Sequence, residues 1–175
     1  DVLDETADPK TSFTSSSKKE MLVKETSIYA DKIELTSGES IEISGGKMAQ
    51  TDSLKSAFKA TADKSVTIKD STTISALTTS ILAGVDILLK QSVIQAPQSN
   101  LPGSIFWAQA TTGNISIQYG VVDASNVTLT ANGKVTIEGI TTSDGLRKSA
   151  ITANLVNLVS KEGDIEVKDT TFYRR

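Results

Sequence analysis

The residues with the right chemistry for acid–base catalysis are carboxylates and lysines, because the chain contains no histidine and no cysteine. Glu34, Glu42 and Glu166 each lie between two aliphatic residues in a short alternating segment. A pair of carboxylates can cleave a glycosidic bond when an acid and a base or nucleophile flank it. The alternation instead places these glutamates on the solvent-facing side of strands, and we interpret them as a solvated face. No residue is predicted to be catalytic.

Metal sites and modification sites have weaker signals. Asp63, Asp70 and Asp86 lack the spacing of the Gly-rich, Asp-containing repeat that binds calcium between turns, so we predict no metal and no cofactor. Asn114 and Asn126 begin formal N-glycosylation triplets. In a chain this rich in Ser, Thr and Asn, chance is the simpler explanation of both.

Two polar stretches, at residues 97–104 and 141–149, interrupt the strand-like pattern and are predicted to be loops that leave the fold. An aromatic pair directly after the first of them is suited to contact a sugar or a protein. The alternative is that one of these rings caps the core and that the second loop is merely solvated. The candidate partner contacts are Gln98, Asn100, Pro102, Phe106, Trp107, Asp144, Arg147 and Lys148.

Composition excludes several classes of partner. The 175 residues carry a net charge of −3, which points to neither nucleic acid nor an anionic membrane. Only 38% are hydrophobic and 5% aromatic, so the core must be built from Ile, Val, Leu and Ala. No apolar run is long enough to cross a bilayer, and no signal peptide stands at the start. Because Asp1 is not a methionine, we expect the chain to be a piece of a longer one.

An internal repeat is the strongest signal of fold. Residues 30–43, 124–137 and 153–167 share a short alternating strand, a polar turn with Gly, and a second short alternating strand. Copies of the second strand recur at about 20 residues, with about ten extra residues inserted twice. Period-two alternation of Ile or Val with polar residues indicates strands with one buried face. Stacked coils, each too small to bury its own apolar face, explain this pattern.

We therefore predict an all-β, right-handed parallel β-helix of about six to seven coils, roughly 20 residues per coil, with two inserted loops. The solenoid is assigned to residues 21–175, after an irregular polar segment at 1–20. Small corner residues are predicted at Ala30, Ala76, Ala96, Ala124 and Ala153. The side chains predicted to face inward are Ile33, Leu35, Ile41, Ile43, Val66, Ile68, Val85, Ile87, Ile115, Ile117, Val127, Leu129, Val135, Ile137, Val156, Leu158, Ile165 and Val167.

Two structural alternatives stay open. Residues 47–62 suit either a short amphipathic helix, through Met48, Leu54 and Phe58, or a strand over 54–58, which agrees better with the neighbouring coils. Short alternating strands also suit an antiparallel β-sandwich. The fixed period and the scarcity of hairpin turns argue against the sandwich, since the chain holds a single Asn-Gly pair, at Asn132.

Residues 27–48 resemble the haemagglutinin repeat of filamentous-haemagglutinin-type exoproteins, which alternates small-residue turns with short aliphatic strands. Residues 126–138 resemble a second copy, and the hydroxyl-rich residues 14–19 resemble the stretch that often precedes such repeats. This family comprises the large effectors of two-partner secretion, including adhesins, haemolysins and contact-dependent growth-inhibition proteins.

The resemblance implies a secreted or cell-surface bacterial fibre. Such a fibre is exported through a two-partner outer-membrane transporter, and it displays a binding or toxin module to a protein or carbohydrate receptor on another cell. It implies no enzymatic activity and no membrane span. Two other functions are carried as alternatives: a carbohydrate-active β-helix enzyme, and an ice-binding solenoid, which would need a flat array of outward Thr-x-Thr triplets such as the one at Thr128.

Overall fold

The computed structural model describes residues 11–49, 55–97, 103–142 and 145–175, and within these ranges all regular structure is β. Three strands form each coil, and the sixth coil contains a two-stranded hairpin in addition. In chain order the strands are β1 (Ser12–Ser17), β2 (Met21–Lys24) and β3 (Ile28–Tyr29) in the first coil; β4 (Lys32–Ser37), β5 (Ile41–Ser44) and β6 (Lys47–Ala49) in the second; β7 (Ala57–Ala62), β8 (Val66–Lys69) and β9 (Thr73–Ser75) in the third; β10 (Thr78–Ala83), β11 (Ile87–Lys90) and β12 (Val93–Gln95) in the fourth. They continue with β13 (Ile105–Ala110), β14 (Ile115–Gln118) and β15 (Val121–Asp123) in the fifth; β16 (Asn126–Ala131), β17 (Val135–Glu138), the hairpin strands β18 (Ile140–Thr142) and β19 (Gly145–Arg147), and β20 (Ser149–Ala153) in the sixth; and β21 (Leu155–Ser160), β22 (Ile165–Lys168) and β23 (Thr170–Arg174) in the seventh.

Three seven-stranded parallel sheets run the length of the stack. Sheet A contains the first strand of every coil, sheet B the second and sheet C the last. Each strand pairs with its counterparts in the coils before and after it, as in β10, which lies between β7 and β13. The predicted β-solenoid is confirmed and the sandwich is wrong, because the hairpin of β18 and β19 is the one antiparallel pair in the part of the chain that the structure describes.

Coil length is less uniform than the sequence suggests. Six steps join the seven coils, so the chain makes about six turns of roughly 23 residues each. Register partners in sheet A are 20 or 21 residues apart in three steps, and 25, 27 and 29 apart in the other three. The long steps hold insertions between β6 and β7, between β12 and β13, and between β17 and β20. The first of these was not predicted, and the third is a hairpin rather than an irregular loop.

The core is a set of inward columns of aliphatic side chains, as the alternation predicts. Of the residues predicted to face inward, those from Ile33 to Ile137 are buried, with Val85 as the exception. Val85 is 39% exposed because Val66 pairs with Ile87, not with Val85. Val85, Ile87 and Leu89 lie at every second position, so either Val85 or Ile87 could pair with Val66 without changing the apolar pattern. The length of the preceding turn decides between these two registers. In the seventh coil, Ile165 and Val167 keep the inward register but are half-exposed.

The corners of the solenoid are of two kinds. Between sheets C and A, all five of the predicted corner alanines are buried. Between sheets B and C, most coils place one or two residues in the left-handed region of φ, including Gly45 at 72° and the non-glycine residues Gln91 and Tyr119 at 49°. This corner therefore lacks the glycine signature that would mark it in the sequence.

Two segments differ from expectation. β1 pairs with β4 along its whole length, so the solenoid begins at or before Ser12, inside the segment predicted to be irregular. The Thr and Ser residues of β1 are compatible with a strand that is paired along one of its edges, here with β4. The helix over residues 47–62 is wrong, because β6 and β7 occupy the two ends of that segment, and the strand there begins at Ala57 rather than at 54. Leu54 lies outside the described residues.

A buried hydroxyl interrupts the core column of sheet A. Thr79 is 1% exposed, lies in register between Phe58 and Phe106, and its Oγ1 has no hydrogen-bond partner among the described residues. Thr79→Val should raise the free energy of unfolding by about 1–2 kcal/mol, because it removes an unsatisfied buried polar group at nearly constant shape. Urea unfolding would measure this, with the outward-facing Thr78→Val as control. Equal effects at both positions would contradict the prediction.

Candidate functional site

The outer side of sheet A is divided by charge. In the second and third coils it carries Lys32, Glu34 and Lys59. In the last four coils every outward position is neutral, and we call this surface the uncharged face. It consists of Thr78, Ser80, Leu82, Ile105, Trp107, Gln109, Asn126, Thr128, Thr130, Leu155, Asn157 and Val159.

The single tryptophan lies at the centre of the uncharged face. Trp107 is half-buried and has Ser80 and Thr128 as its register neighbours, with Asn157 one strand farther on. The preceding Phe106 is fully buried, so it is a core residue and not the surface contact that the aromatic pair suggested. Both residues belong to β13 and not to the inserted loop. The strand's alternation therefore assigns one ring to the core and the other to the surface.

The glutamates considered for acid–base chemistry are each bound by lysine. Glu34 lies 3.2 Å from Lys32 Nζ and 3.1 Å from Lys59 Nζ. These lysines hold the Glu34 pKa below its ordinary value, chiefly through the hydrogen bond from Lys59. Glu42 pairs with Lys69 at 3.2 Å. A catalytic general acid needs a raised pKa, so Glu34 has the opposite tuning.

Glu166 accepts hydrogen bonds from Lys134 and Lys168, and its pKa is lowered to about 2, first by the Lys134 hydrogen bond. It shares an outward column of sheet B with Glu42, but four coils separate them, so the glutamates do not stack. Each of these carboxylates is thus an ion-pair partner between neighbouring strands or turns. In the part of the chain that the structure describes, they do not form an acid cluster.

The ion pairs predict a pH dependence of stability. A carboxylate whose pKa is lowered by folding stabilises the protein above its unfolded pKa, and that contribution is lost as pH falls through the folded value. We expect the free energy of unfolding to fall between pH 4.5 and about 2, and the slope to be smaller in Glu166→Gln. Urea unfolding at several pH values checks this. Glu20→Gln is the control for net charge, and equal slopes in both variants would contradict the assignment.

Among the described residues, the fold does not gather the three aspartates into one group, and the strands next to the Thr-x-Thr triplet do not repeat it. Asp63 and Asp86 lie in turns between sheets A and B of different coils, and Asp70 lies at the corner between sheets B and C. Among the described residues, no group of three or more Asp or Glu side chains could hold a metal ion. Thr128 and Thr130 point outward together, but their register neighbours are Trp107 and Gln109 on one side and Asn157 and Val159 on the other.

The turn before sheet B contains a ladder of side chains that link successive coils. Asp86 Oδ1 accepts a hydrogen bond from the Asn114 backbone N–H at 2.7 Å, and Asn114 Oδ1 accepts one from the Lys134 N–H at 2.7 Å. The Asn114 side-chain amide also donates to Asp86 at 3.2 Å. The amide of this glycosylation triplet is therefore used in coil-to-coil bonding. Asn126, in the other triplet, lies on the uncharged face.

The hairpin of β18 and β19 brings one predicted contact residue onto the solenoid. The guanidinium carbon of Arg147 lies 5.5 Å from the centre of the Tyr119 ring, a cation–π distance. Lys148 is exposed beside it. Tyr119 was not singled out from the sequence, since nothing near it in the chain suggests a partner. Gln98, Asn100, Pro102 and Asp144 lie outside the described residues.

Arg175 is a second residue that sequence reasoning missed. Its guanidinium donates hydrogen bonds to the hydroxyls of Ser104 and Ser125, and its Nε lies 3.0 Å from Asp123 Oδ1. These contacts connect the seventh coil with the end of the insertion before β13 and with the corner between β15 and β16. Ser125 and Ser104 lie 50 and 71 residues before Arg175 in the sequence, so no local pattern could reveal these contacts.

No family model matches the sequence, and no curated protein or solved structure matches it either. Within the described ranges, no helix with the length and apolar character of a membrane span is present.

Proposed function

We propose that the chain is a structural and adhesive repeat segment of a large secreted or cell-surface bacterial exoprotein of the filamentous-haemagglutinin type. In this proposal the segment adds reach to a fibre that displays a binding or toxin module. Export proceeds through a two-partner outer-membrane transporter, and the receptor is a protein or carbohydrate on another cell. The observation that carries the proposal is the combination of an unbroken stack of coils with an uncharged outer face around Trp107.

The stack supports the spacer role. Neighbouring strands of a sheet lie about 4.8 Å apart, so six steps extend the fibre by roughly 29 Å. All three sheets continue through all seven coils, and every interior coil packs on two others. Parallel pairing at every level makes the segment a continuous body rather than a chain of hinged units.

The uncharged face supports the adhesive role. The centres of protein interfaces are depleted in charge and enriched in aromatic residues, and tryptophan is among the commonest energetic anchors. Trp107 offers a large, half-buried ring, and hydroxyl and amide groups at Ser80, Thr128 and Asn157 surround it. Such a surface can contact a neutral partner without leaving an unpaired charge buried.

Adhesion of cells that display the chain tests this proposal. The segment would be displayed on a non-adherent bacterial host, and cells retained on a cultured epithelial monolayer would be counted after washing. We expect retention several-fold above the undecorated host, and loss of most of it in Trp107→Ala. The matched control is Leu22→Ala, an exposed aliphatic residue on sheet B. Retention at host level, or equal retention by Trp107→Ala and the wild type, would overturn the proposal.

A further inference from the structure

The middle outward column of the uncharged face runs along the axis of the solenoid. From the fourth coil to the seventh it contains Ser80, Trp107, Thr128 and Asn157, which are in register. Neighbouring members of such a column lie one strand spacing apart, about 4.8 Å. The indole of Trp107 therefore stands between two small hydroxyl-bearing side chains, with an amide one step farther along.

The polar side chains of this column are not used to join the coils. Within the described ranges, those of Ser80, Thr128 and Asn157 form no hydrogen bond with the rest of the protein. Asn157 is exposed, and the two hydroxyl-bearing residues are half-buried. Their donors and acceptors are therefore left to water or to a ligand.

Amides elsewhere on the solenoid are used differently. Asn114, Gln118 and Asn132 each donate a side-chain hydrogen bond to a carboxylate of a neighbouring coil, at 3.0 to 3.2 Å. Those amides stabilise the stack by pairing with acids in the turns and on sheet B. Asn157 lies on a face whose outward residues include no acid, so coil-to-coil pairing of this kind does not explain it.

The adjacent outward column, on the side of sheet B, adds aliphatic surface. It contains Leu82, Gln109, Thr130 and Val159. Leu82 and Val159 contribute C–H groups. In the part of the chain that the structure describes, the side chains of Gln109 and Thr130 also form no hydrogen bond. The two columns together thus combine an aromatic ring and aliphatic carbon with neutral donors and acceptors.

This combination matches the chemistry of a neutral sugar chain. A pyranose ring has a face of C–H groups, which can pack on an indole, and a rim of hydroxyls that both donate and accept hydrogen bonds. A charged ligand would find no counter-ion among the outward residues of this face. A protein with an apolar interface centre would bury the hydroxyls and amides of the middle column without partners.

We propose that the uncharged face binds a neutral oligosaccharide, with one sugar ring against the indole of Trp107 and sugar hydroxyls bonded to Thr128 and Asn157. This inference rests on the proposed function, because it assigns the receptor of that same face to the neutral glycans. The sugar chain lies along the middle column, since the bonding groups follow the axis of the solenoid.

Fluorescence titration of the purified chain tests the inference, because Trp107 is its single tryptophan and reports on a ligand bound there. The probes are maltotetraose, cellotetraose and lacto-N-tetraose, which are neutral, and tetragalacturonate, which carries a carboxylate on every ring. We expect at least one neutral probe to bind with a dissociation constant on the order of 1 mM, as a small ligand does on an open surface. Tetragalacturonate should bind at least about tenfold more weakly.

Variants assign the binding to the middle column, with NMR of the probe as the readout. Thr128→Val removes one hydroxyl at nearly constant shape and should weaken binding about threefold to tenfold. Thr67→Val makes the same change on the outer side of sheet B and should leave the affinity unchanged. Trp107→Phe, which keeps an aromatic face, should retain measurable binding, whereas Trp107→Ala should abolish it. All four should unfold cooperatively.

The outcomes separate this inference from the proposed function. Adhesion to the epithelial monolayer without binding of any neutral probe would overturn the glycan assignment, favour a protein receptor and leave the proposed function standing. Equal binding of tetragalacturonate, or unchanged binding in Trp107→Ala, would also overturn the inference. Binding of a neutral probe without adhesion of the displayed chain would support the sugar site and count against the proposed function.

Discussion

Phe106→Ala is expected to lower the free energy of unfolding by about 3–5 kcal/mol, as removal of a fully buried phenylalanine does when the site cannot collapse. Phe106 is 0% exposed and packs in register between Thr79 and Val127. In the same strand, Ala108 is the small inward residue that accompanies the large ring, as Ala60 accompanies Phe58. The coil therefore has no second large side chain in β13 to fill the space.

Trp107→Ala is the matched control, because it removes a larger ring from the next position of the same strand but from the outer side. We expect it to cost about 1 kcal/mol or less. Urea unfolding of both variants makes the comparison, and hydrogen exchange would show whether the loss is concentrated in the fourth to sixth coils. Equal costs for the two substitutions would contradict the assignment of Phe106 to the core.

Gly84→Ala is expected to cost about 2–3 kcal/mol, although it adds a single methyl group. Gly84 lies in the turn between β10 and β11, where a Cβ would be 1.9 Å from the Asp63 carbonyl oxygen of the preceding coil. Its φ is not in the left-handed region, so the cost comes from the close approach of two coils and not from backbone strain.

The control for this glycine is Asp63→Ala, because Asp63 occupies the equivalent turn position one coil earlier and already carries an exposed side chain. We expect a change within about 0.5 kcal/mol. Thermal and urea unfolding measure both variants. If Gly84→Ala is as stable as the wild type, the coils are farther apart at this turn than the structure has them.

The sequence predicted the architecture because a solenoid repeats its physical requirements. Each coil must supply alternating aliphatic residues, and a small residue at the C-to-A corner, so Ile41 and Ala30 have counterparts in coil after coil. The register was ambiguous where apolar residues run together, as at Leu88, and this is why Val85 was placed inward. The left-handed corner was invisible, since Gln91 and Tyr119 adopt it without glycine.

The candidate sites were harder to predict because they are made by contacts between coils. Trp107 could be singled out as the lone tryptophan, but the neutrality of its surroundings depends on residues from four coils. Arg147 could be singled out as a loop charge, yet its partner Tyr119 lies 28 residues earlier and on a different coil. Local pattern gives the face of a strand on which a residue lies, whereas register between coils decides its neighbours.

The measurement that tests the central claim most directly is equilibrium binding of the purified, labelled chain to a cultured epithelial monolayer, with a charge placed in the uncharged face. Thr128→Glu puts a carboxylate beside Trp107, and Thr67→Glu puts the same charge on the outer side of sheet B. We predict saturable binding by the wild type and by Thr67→Glu, and a loss of about tenfold or more in Thr128→Glu, because a charge without a partner is costly to bury. Equal binding by the two variants, or no binding by the wild type, would contradict the account.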